Sequence, residues 1–166
     1  LVGSEMCIRD RVNIMQIKQI IENQTFDEER ALYNIQNTEV RNCTFAGPQD
    51  GESVLKETRQ VRVDHCTFSL RYPLWHVQGY ELIHSSLDEL TRAPIWYSHH
   101  GLIDSCDIQG IKILKECSDT IVSNCQIQSP EFGWFCQDIS IKDSEIHSEY
   151  MLLHSHPVSY THLTLP

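Results

Sequence analysis

The sequence is poor in basic residues. Among its 166 residues, 13 are lysine or arginine and 23 are aspartate or glutamate, which gives a formal net charge of −10. This deficit argues against nucleic acid as a partner, because phosphates require a basic face. It argues equally against an anionic membrane surface. The chain also has no run near the roughly 18 apolar residues that a membrane-spanning helix requires, so we expect no membrane partner.

Two further signals are missing. No Cys-x-x-Cys pair occurs, and none of His65, His84, His99 and His100 has a helical i,i+4 partner, so neither a metal site nor another cofactor is predicted. The residues that follow Met15 lack the long apolar run of a secretory signal. If Met15 is the start of translation, we predict a cytoplasmic protein.

The two ends of the chain fit one inverted DNA sequence. Residues 6–10 can be encoded by ATG-TGT-ATA-AGA-GAC, and the reverse complement of these codons encodes the residues found at 158–162. This relation is typical of translated sequencing adapters, which are excluded from fold reasoning. We therefore predict that residues 1–11 and 157–166 are not native. The insert between them has no stop at its far end, so we expect a longer gene product.

What the chain does contain is a repeat. Six segments follow the pattern apolar-x-x-(Cys or Ser)-x-apolar, and their Cys/Ser positions lie 23, 19, 21, 19 and 19 residues apart. A period of about 20 with a strand-like unit predicts a solenoid whose stacked coils bury their apolar faces against one another. The segments are Val40–Phe45, Val63–Phe68, Leu82–Leu87, Ile103–Ile108, Val122–Ile127 and Ile141–Ile146.

The cysteines fit this repeat better than a disulfide framework. Cys43, Cys66, Cys106 and Cys125 occupy the position that Ser85 and Ser144 fill in the other segments. A column that alternates between cysteine and serine requires a small, buried side chain, and free cysteine behaves as a small hydrophobe. We predict a buried ladder of free thiols and hydroxyls.

A second set of apolar segments completes each coil. Its middle positions hold leucine or tryptophan, and the corners between the sets hold most of the glycine and proline, as turns require. Short strands in coils of about 20 residues predict an all-β fold, a right-handed parallel β-helix of six to seven coils over residues 26–156. A leucine-rich repeat would need a regular leucine framework, which is absent. The middle positions are Leu32, Leu55, Trp75, Trp96, Leu114, Trp134 and Leu153.

The two ends of the predicted solenoid differ. Residues 12–25, with Ile17, Ile20 and Ile21, are predicted to form an N-terminal cap over the first coil. The C-terminal end is cut through a coil, which would expose apolar side chains and unpaired strand edges. We therefore expect self-association at that end, while the oligomeric state stays open.

Four stretches resemble the bacterial family known as domain of unknown function 3737. They are Phe26–Tyr33, Val54–Thr58, Asp88–Tyr97 and Ser129–Trp134, of which Asp88–Tyr97 is the most specific. The resemblance implies a right-handed β-helix of the pectate-lyase type, of which the insert covers roughly the N-terminal half. It implies no activity and no catalytic residues, because fold alone does not define function.

One column of residues carries the candidate chemistry. If the Leu/Trp column points inward, alternation turns the next residues outward as a stripe of rings, lysines and imidazoles. Such a stripe, with carboxylates beside it, suits an extended polar polymer such as a glycan. From this stripe and the adjoining corners we select His76, Asp88, Glu89, Arg92, Tyr97, Lys115 and Glu116 as candidate catalytic residues.

Two reactions fit these residue types. A glycoside hydrolase needs two carboxyl groups roughly 5–10 Å apart, which Asp88 or Glu89 could form with Glu116 or Glu131. A polysaccharide lyase would use Lys115 or Arg92 as the base, and carboxylates would hold Ca²⁺. Whether the protein is an enzyme stays open, and Ca²⁺ is expected only for the lyase.

Two alternatives stand beside this interpretation. Polar residues on the outside of a solenoid mostly form solvated ladders, and a non-catalytic solenoid for protein interaction or assembly would need no site. If the tryptophans instead face outward, Trp75 and Trp96 on adjacent coils would form a sugar-stacking platform. The preferred hypothesis is a β-helix that binds, and in its stronger form processes, a carbohydrate on an outward face.

Overall fold

The chain folds as a parallel β-helix of about seven turns. The computed structural model describes residues 14–47 and 52–165, and these residues contain strands, bridges and turns but no helix. The predicted all-β fold class is therefore confirmed. Residues 1–11, predicted to derive from an adapter, lie outside the described residues.

Three sets of strands make up the sides of the coils. Long and short strands alternate along the chain and join at β15 (Gln137–His147) into one hydrogen-bonded sheet, and a third set forms a separate small sheet. The long set is β1 (Gln19–Glu22), β3 (Gln36–Arg41), β5 (Arg59–Asp64), β7 (Gln78–Ile83), β9 (His99–Asp104), β12 (Ser118–Ser123), β15 (Gln137–His147) and β17 (Val158–Thr164). The short set is β2 (Thr25–Phe26), β4 (Thr44–Ala46), β6 (Thr67–Ser69), β8 (Ser86–Leu87), β10 (Asp107–Gln109) and β13 (Gln126–Gln128). The third set is β11 (Ile113–Lys115), β14 (Glu131–Trp134) and β16 (Tyr150–Met151).

The core follows the period-2 alternation of the strands. In β3 and β5 every second residue is buried, and Val40 pairs with Val63 across the coils. The short strands contribute Phe45, which pairs with Phe68. Because all pairs are parallel and in register, identical positions of successive coils stack into columns, and each apolar column is excluded from water by its neighbours.

The predicted ladder of small side chains is confirmed. All six cysteines of the described residues are free and buried. The Ser85 hydroxyl accepts a hydrogen bond from the Cys66 backbone N–H at 3.0 Å, and the Cys66 thiol lies 3.5 Å from the Val40 carbonyl oxygen. The column therefore provides hydrogen-bond partners for backbone N–H and C=O groups at the bend between the long and short strands. Pairing between strands cannot provide these partners at a bend.

These thiols should be unreactive in the folded protein, because all six are buried and a reagent in solution cannot reach them. Burial raises the pKa of Cys66 to about 12, so at pH 8 only about one molecule in ten thousand would carry the reactive thiolate there. In a chain with Cys7 replaced by serine, we expect Ellman's reagent to label no thiol within minutes. Guanidinium should then expose all six. Rapid labelling of any thiol under native conditions would contradict this.

A left-handed corner follows each long strand. Asn42, His65, His84, Ser105 and Asn124 occupy equivalent places, with φ values of 52°, 52°, 47°, 55° and 51°. Asparagine, aspartate and histidine enter this backbone region more readily than most residues. The corner turns the chain from the long strand into the short strand and holds one outward polar side chain per coil.

The strands extend into both predicted end segments. β1 and β2, which lie largely in the predicted cap, pair in parallel with β3 and β4, so this segment covers the first full coil by adding strands to it. β17, within the segment assigned to an adapter, pairs with β15 and is mostly exposed. The adapter origin of both ends stays a prediction. No helix of the described residues is long and apolar enough to cross a bilayer.

Candidate functional site

The outward face of the third set of strands carries the tryptophans. Trp96 forms a parallel bridge with Lys115, and Lys115 pairs with Trp134. The inward column contains Leu55, Leu74, Ile95 and Leu114, all fully buried. The predicted inward Leu/Trp column is therefore wrong by one residue at Trp75, Trp96 and Trp134, which share an outward column with Lys56 and Lys115. We call Trp75, Trp96, Lys115 and Trp134 the tryptophan column.

This error arises because, where two apolar residues are adjacent, the sequence does not show which of them is buried. Leu74-Trp75 and Ile95-Trp96 each offer two apolar residues in succession, and alignment on the larger one shifts the register. A constant spacing resolves the ambiguity. Leu55, Leu74 and Leu114 each stand six residues before a buried position of the next long strand, at Val61, Tyr80 and Thr120.

The indole rings stack on one another along the solenoid axis. Trp75 and Trp96 have centroids 5.2 Å apart and planes 7° apart. The Lys115 ammonium lies 4.6 Å from the Trp96 centroid, and Tyr72 meets Trp75 edge-on at 5.2 Å. The indole N–H groups of Trp75 and Trp96 donate to the carbonyl oxygens of Ala93 and Lys112 at 2.6 and 2.7 Å.

This geometry limits what the tryptophan column can bind. The rings face outward, as the second alternative anticipated. Trp75 and Trp96, however, cover each other's faces, and Lys115 lies over the Trp96 ring as well. A sugar that stacks on an aromatic ring needs an open face. The column therefore shields the flank of the coils, and its cation–π and stacking contacts stabilise the fold.

Of the predicted site residues, Lys115 belongs to this column, and His76, Tyr97 and Glu116 lie beside it. His76 stacks on Tyr97, with centroids 4.9 Å apart and planes 13° apart. The Lys115 ammonium lies 3.8 Å from a Glu116 carboxylate oxygen, with the Glu116 side chain 47% exposed. These residues form a solvated strip of rings and charges. They show no hydrogen-bonded acid–base pair among the described residues.

The other three predicted residues lie at a different corner of the coil. An Asp88 carboxylate oxygen accepts a hydrogen bond from the Leu90 N–H at 3.0 Å, so it closes a turn after β8. Glu89 is exposed, and Arg92 is bridged through its backbone to Arg71 and Ile111. Asp88 and Glu89 follow β8 of the short set, whereas Glu116 follows β11 of the third set, so a carboxyl pair of Asp88 or Glu89 with Glu116 would have to join two different sides of the coil. The pair with Glu131 stays a prediction.

A groove on the short-strand face was missed by the sequence analysis. Its outward residues form two columns across β10, β13 and the end of β15, in register from coil to coil. Ile127 is buried at its floor, and the groove encloses about 210 Å³. We call this site the polar groove, and it is lined by Asp107, Gln109, Gln126, Gln128, Glu145 and His147.

The polar groove is rich in hydrogen-bonding groups at regular intervals. Asp107 pairs with Gln126 and Gln126 with Glu145, so amide and carboxylate groups follow one another at the coil spacing of about 4.8 Å. His147 Nε2 lies 2.7 Å from Glu145 Oε1, which fixes both side chains at one end. The residue after β8 is Asp88, so this predicted residue adjoins the groove next to Gln109. Polar outward positions have no distinctive pattern in a sequence, which is why the groove was not predicted.

The family follows from a comparison with family models. A model described as a protein of unknown function, DUF3737, matches residues 19–166. The chain belongs to the DUF3737 family. The resemblance seen in the sequence is thus confirmed, and the match includes both the tryptophan column and the polar groove of this DUF3737 chain.

Two solved structures are similar to the DUF3737 chain, and both are trypsin-treated variants of QnrB1, a plasmid-mediated fluoroquinolone resistance protein. One is 12% identical with a TM-score of 0.35 and covers 90% of this chain and 92% of that chain. The other is 12% identical with a TM-score of 0.30 and covers 90% and 91%. Similarity at this level carries no functional argument. No curated protein matches this DUF3737 chain significantly.

Proposed function

We propose that this protein binds a neutral glycan in the polar groove. The observation that carries the proposal is the in-register array of amides and carboxylates, Asp107–Gln126–Glu145 beside Gln109–Gln128, on one open face. These side chains supply both donors and acceptors. Sugar hydroxyl groups need both, and a regular array suits a polymer whose units repeat along its length.

The charge of the groove selects among glycans. Asp107 and Glu145 place two carboxylates in it, and the whole chain carries a formal net charge of −10. A uronate polymer would be repelled, because like charges in a shared site are unfavourable. The charge therefore favours a neutral ligand and disfavours the lyase interpretation, whose substrate is a uronate.

The spacing of the carboxylates favours binding over hydrolysis. Asp107 and Glu145 stand two coils apart, with Gln126 between them, so their backbones are separated by about 10 Å. Retaining hydrolysis needs carboxyl groups about 5–5.5 Å apart, and inverting hydrolysis needs about 6.5–9.5 Å. The backbone separation exceeds the first range and lies at about the upper limit of the second, and Gln126 stands between the two carboxylates. We therefore propose binding as the function of the groove.

Substitution in the groove should weaken glycan binding in steps. A hydrogen bond between neutral groups is worth about 0.5–1.5 kcal/mol and one to a charged group about 1.5–3 kcal/mol. We expect Gln126→Ala to weaken binding about 2- to 12-fold and Glu145→Ala more than about tenfold. The measurement is isothermal titration calorimetry with the neutral oligosaccharide that binds best among cello-, xylo-, manno- and malto-oligosaccharides.

The matched control is Gln78→Ala. Gln78 is an exposed strand glutamine like Gln126, but it begins the long strand β7, away from the groove. Its replacement should leave the affinity unchanged. The proposal fails if no neutral oligosaccharide binds, if oligogalacturonide binds better, or if Gln78→Ala weakens binding as much as Gln126→Ala. Absence of any glycan binding would favour the non-catalytic alternative, a solenoid for protein interaction or assembly.

A further inference from the structure

Two imidazoles and one carboxylate converge at the corner that follows β5 and β7. Asp64 ends β5, His65 follows it, and His84 follows β7 on the next coil. Asp64 Oδ1 lies 2.6 Å from His65 Nδ1 and 2.9 Å from His84 Nδ1. Donor atoms of the three residues all lie within 4.8 Å of one another. Across residues 14–47 and 52–165, this is the one such group of three.

The backbone holds the two imidazoles side by side. His65 and His84 occupy equivalent places in the left-handed corner, with φ values of 52° and 47°. The His65 N–H donates to the Ile83 carbonyl oxygen at 3.2 Å, and the His84 N–H donates to that of Asp104 at 3.1 Å. The ring centroids are 4.8 Å apart with the planes 36° apart. The stacking of coils thus fixes the spacing of the rings, which lowers the ordering cost of binding.

We propose that Asp64, His65 and His84 bind a divalent transition-metal ion of the zinc type. Two imidazole nitrogens and one carboxylate oxygen form a donor set that Zn²⁺ accepts, with a fourth position open to water. In the metal-bound form each neutral imidazole carries its proton on Nε2, so both Nδ1 lone pairs and the Asp64 carboxylate face the ion. The sequence criteria that predicted no metal site, a Cys-x-x-Cys pair and helical spacing of histidines, do not apply here. The ligands of this site come together through the stacking of coils.

The required movement is small. Metal–ligand bonds of about 2.0–2.2 Å in a tetrahedral site separate the donor atoms by about 3.3 Å. The present separations bracket this value, between 2.6 and 4.8 Å. The side chains of His65 and His84 are 60% and 48% exposed, so their rings can rotate without disturbing the core.

The chain contains an internal comparison for this site. His100 Nδ1 lies 2.8 Å from Asp119 Oδ2 on an adjacent coil, with both side chains exposed. This pair has the same carboxylate–imidazole contact. Since it offers one imidazole where the proposed site offers two, it should bind Zn²⁺ or Co²⁺ much more weakly.

The test is titration of the metal-free full chain with Co²⁺ and Zn²⁺. Co²⁺ absorption reports a tetrahedral nitrogen and oxygen site, and calorimetry with Zn²⁺ gives the affinity. We expect one tight site in the parent chain. His65→Asn and His84→Asn should each weaken it at least about tenfold, since even loss of an outer-shell partner of a metal site costs 10- to 100-fold. Asparagine is chosen because Asn42 and Asn124 occupy the same left-handed column.

The control variant is His100→Asn, which should retain the tight site. Circular dichroism establishes that each variant is folded, and Asp64→Asn supplies an independent third test. The proposal is overturned if the His65 and His84 variants bind as the parent does, or if His100→Asn loses as much affinity as they do. Either result would mean an adventitious ion only. A rise of the melting temperature with Zn²⁺ in the parent but not in His84→Asn would support the site.

Discussion

A Gly101→Ala variant should lose about 3 kcal/mol of unfolding free energy. Gly101 pairs with Tyr80 of the preceding coil, and the Tyr80 ring extends over it into the core. A Cβ at Gly101 would lie 2.1 Å from Tyr80 Cζ and 2.4 Å from its Oη. Tyr80 is 1% exposed and cannot move into solvent. Overpacking of this kind costs about 1–3 kcal/mol and sometimes more, and urea unfolding would measure it.

The cause can be isolated by a double-mutant cycle. Val61 occupies the position of Tyr80 in the preceding coil, so Tyr80→Val is a substitution that the column already accommodates. In the Tyr80→Val background the added methyl group has space, and Gly101→Ala should cost less than about 1 kcal/mol. Equal costs in both backgrounds would show that the ring does not explain the requirement for glycine.

A Phe68→Ala variant should be destabilised by about 3–5 kcal/mol, the usual cost of truncating a buried phenylalanine. Phe68 is 1% exposed and stacks on Phe45, with centroids 4.8 Å apart and planes 13° apart. Phe45 stacks in turn on Phe26 at 5.1 Å. The cavity would open between Phe45 and Leu87 of the same column, whose side chains are held by their own coils and cannot fill it. Urea unfolding monitored by circular dichroism is the measurement.

Phe135→Ala is the matched control. Phe135 also stacks on a ring of the next coil, His154, at 5.2 Å, but it is 47% exposed on the outward face. Its truncation should cost less than about 1 kcal/mol, because the ring is already largely in contact with water and buries little apolar surface. Equal destabilisation of the two variants would mean that stacking, and not burial, determines the contribution of a ring to stability. That result would contradict the prediction.

The fold was predictable because one position repeats in the sequence on every coil, and the repeats stack into a column. The alternation of cysteine and serine at Cys66, Ser85 and Cys106 needs a small buried side chain on every coil, and few architectures other than stacked coils impose that requirement at this period. Register within a column was harder to predict. Where two apolar residues are adjacent, as at Leu74 and Trp75, size alone selects the wrong one.

The sites were less predictable for a different reason. The polar groove and the Asp64 cluster consist of outward residues, which the solenoid does not constrain and which therefore carry no periodic signal. Asp64, His65 and His84 meet because one coil separates them, and Gln126 lies between two carboxylates for the same reason. Such juxtapositions follow once the register is known. The predicted catalytic residues were drawn from two sources, the stripe that follows the Leu/Trp column and the corners that adjoin it, and these lie in two separate places.

The left-handed corner also bears on how such a protein can acquire new chemistry. Asparagine, histidine, serine and aspartate all occupy this corner, at Asn42, His65, Ser105 and Asp143, with nearly the same φ. Exchanges among these four residue types change the outward side chain while the core and the turn stay as they are. A new ligand residue at this corner would therefore cost little folding free energy, so this edge of the solenoid can gain binding groups by single substitutions.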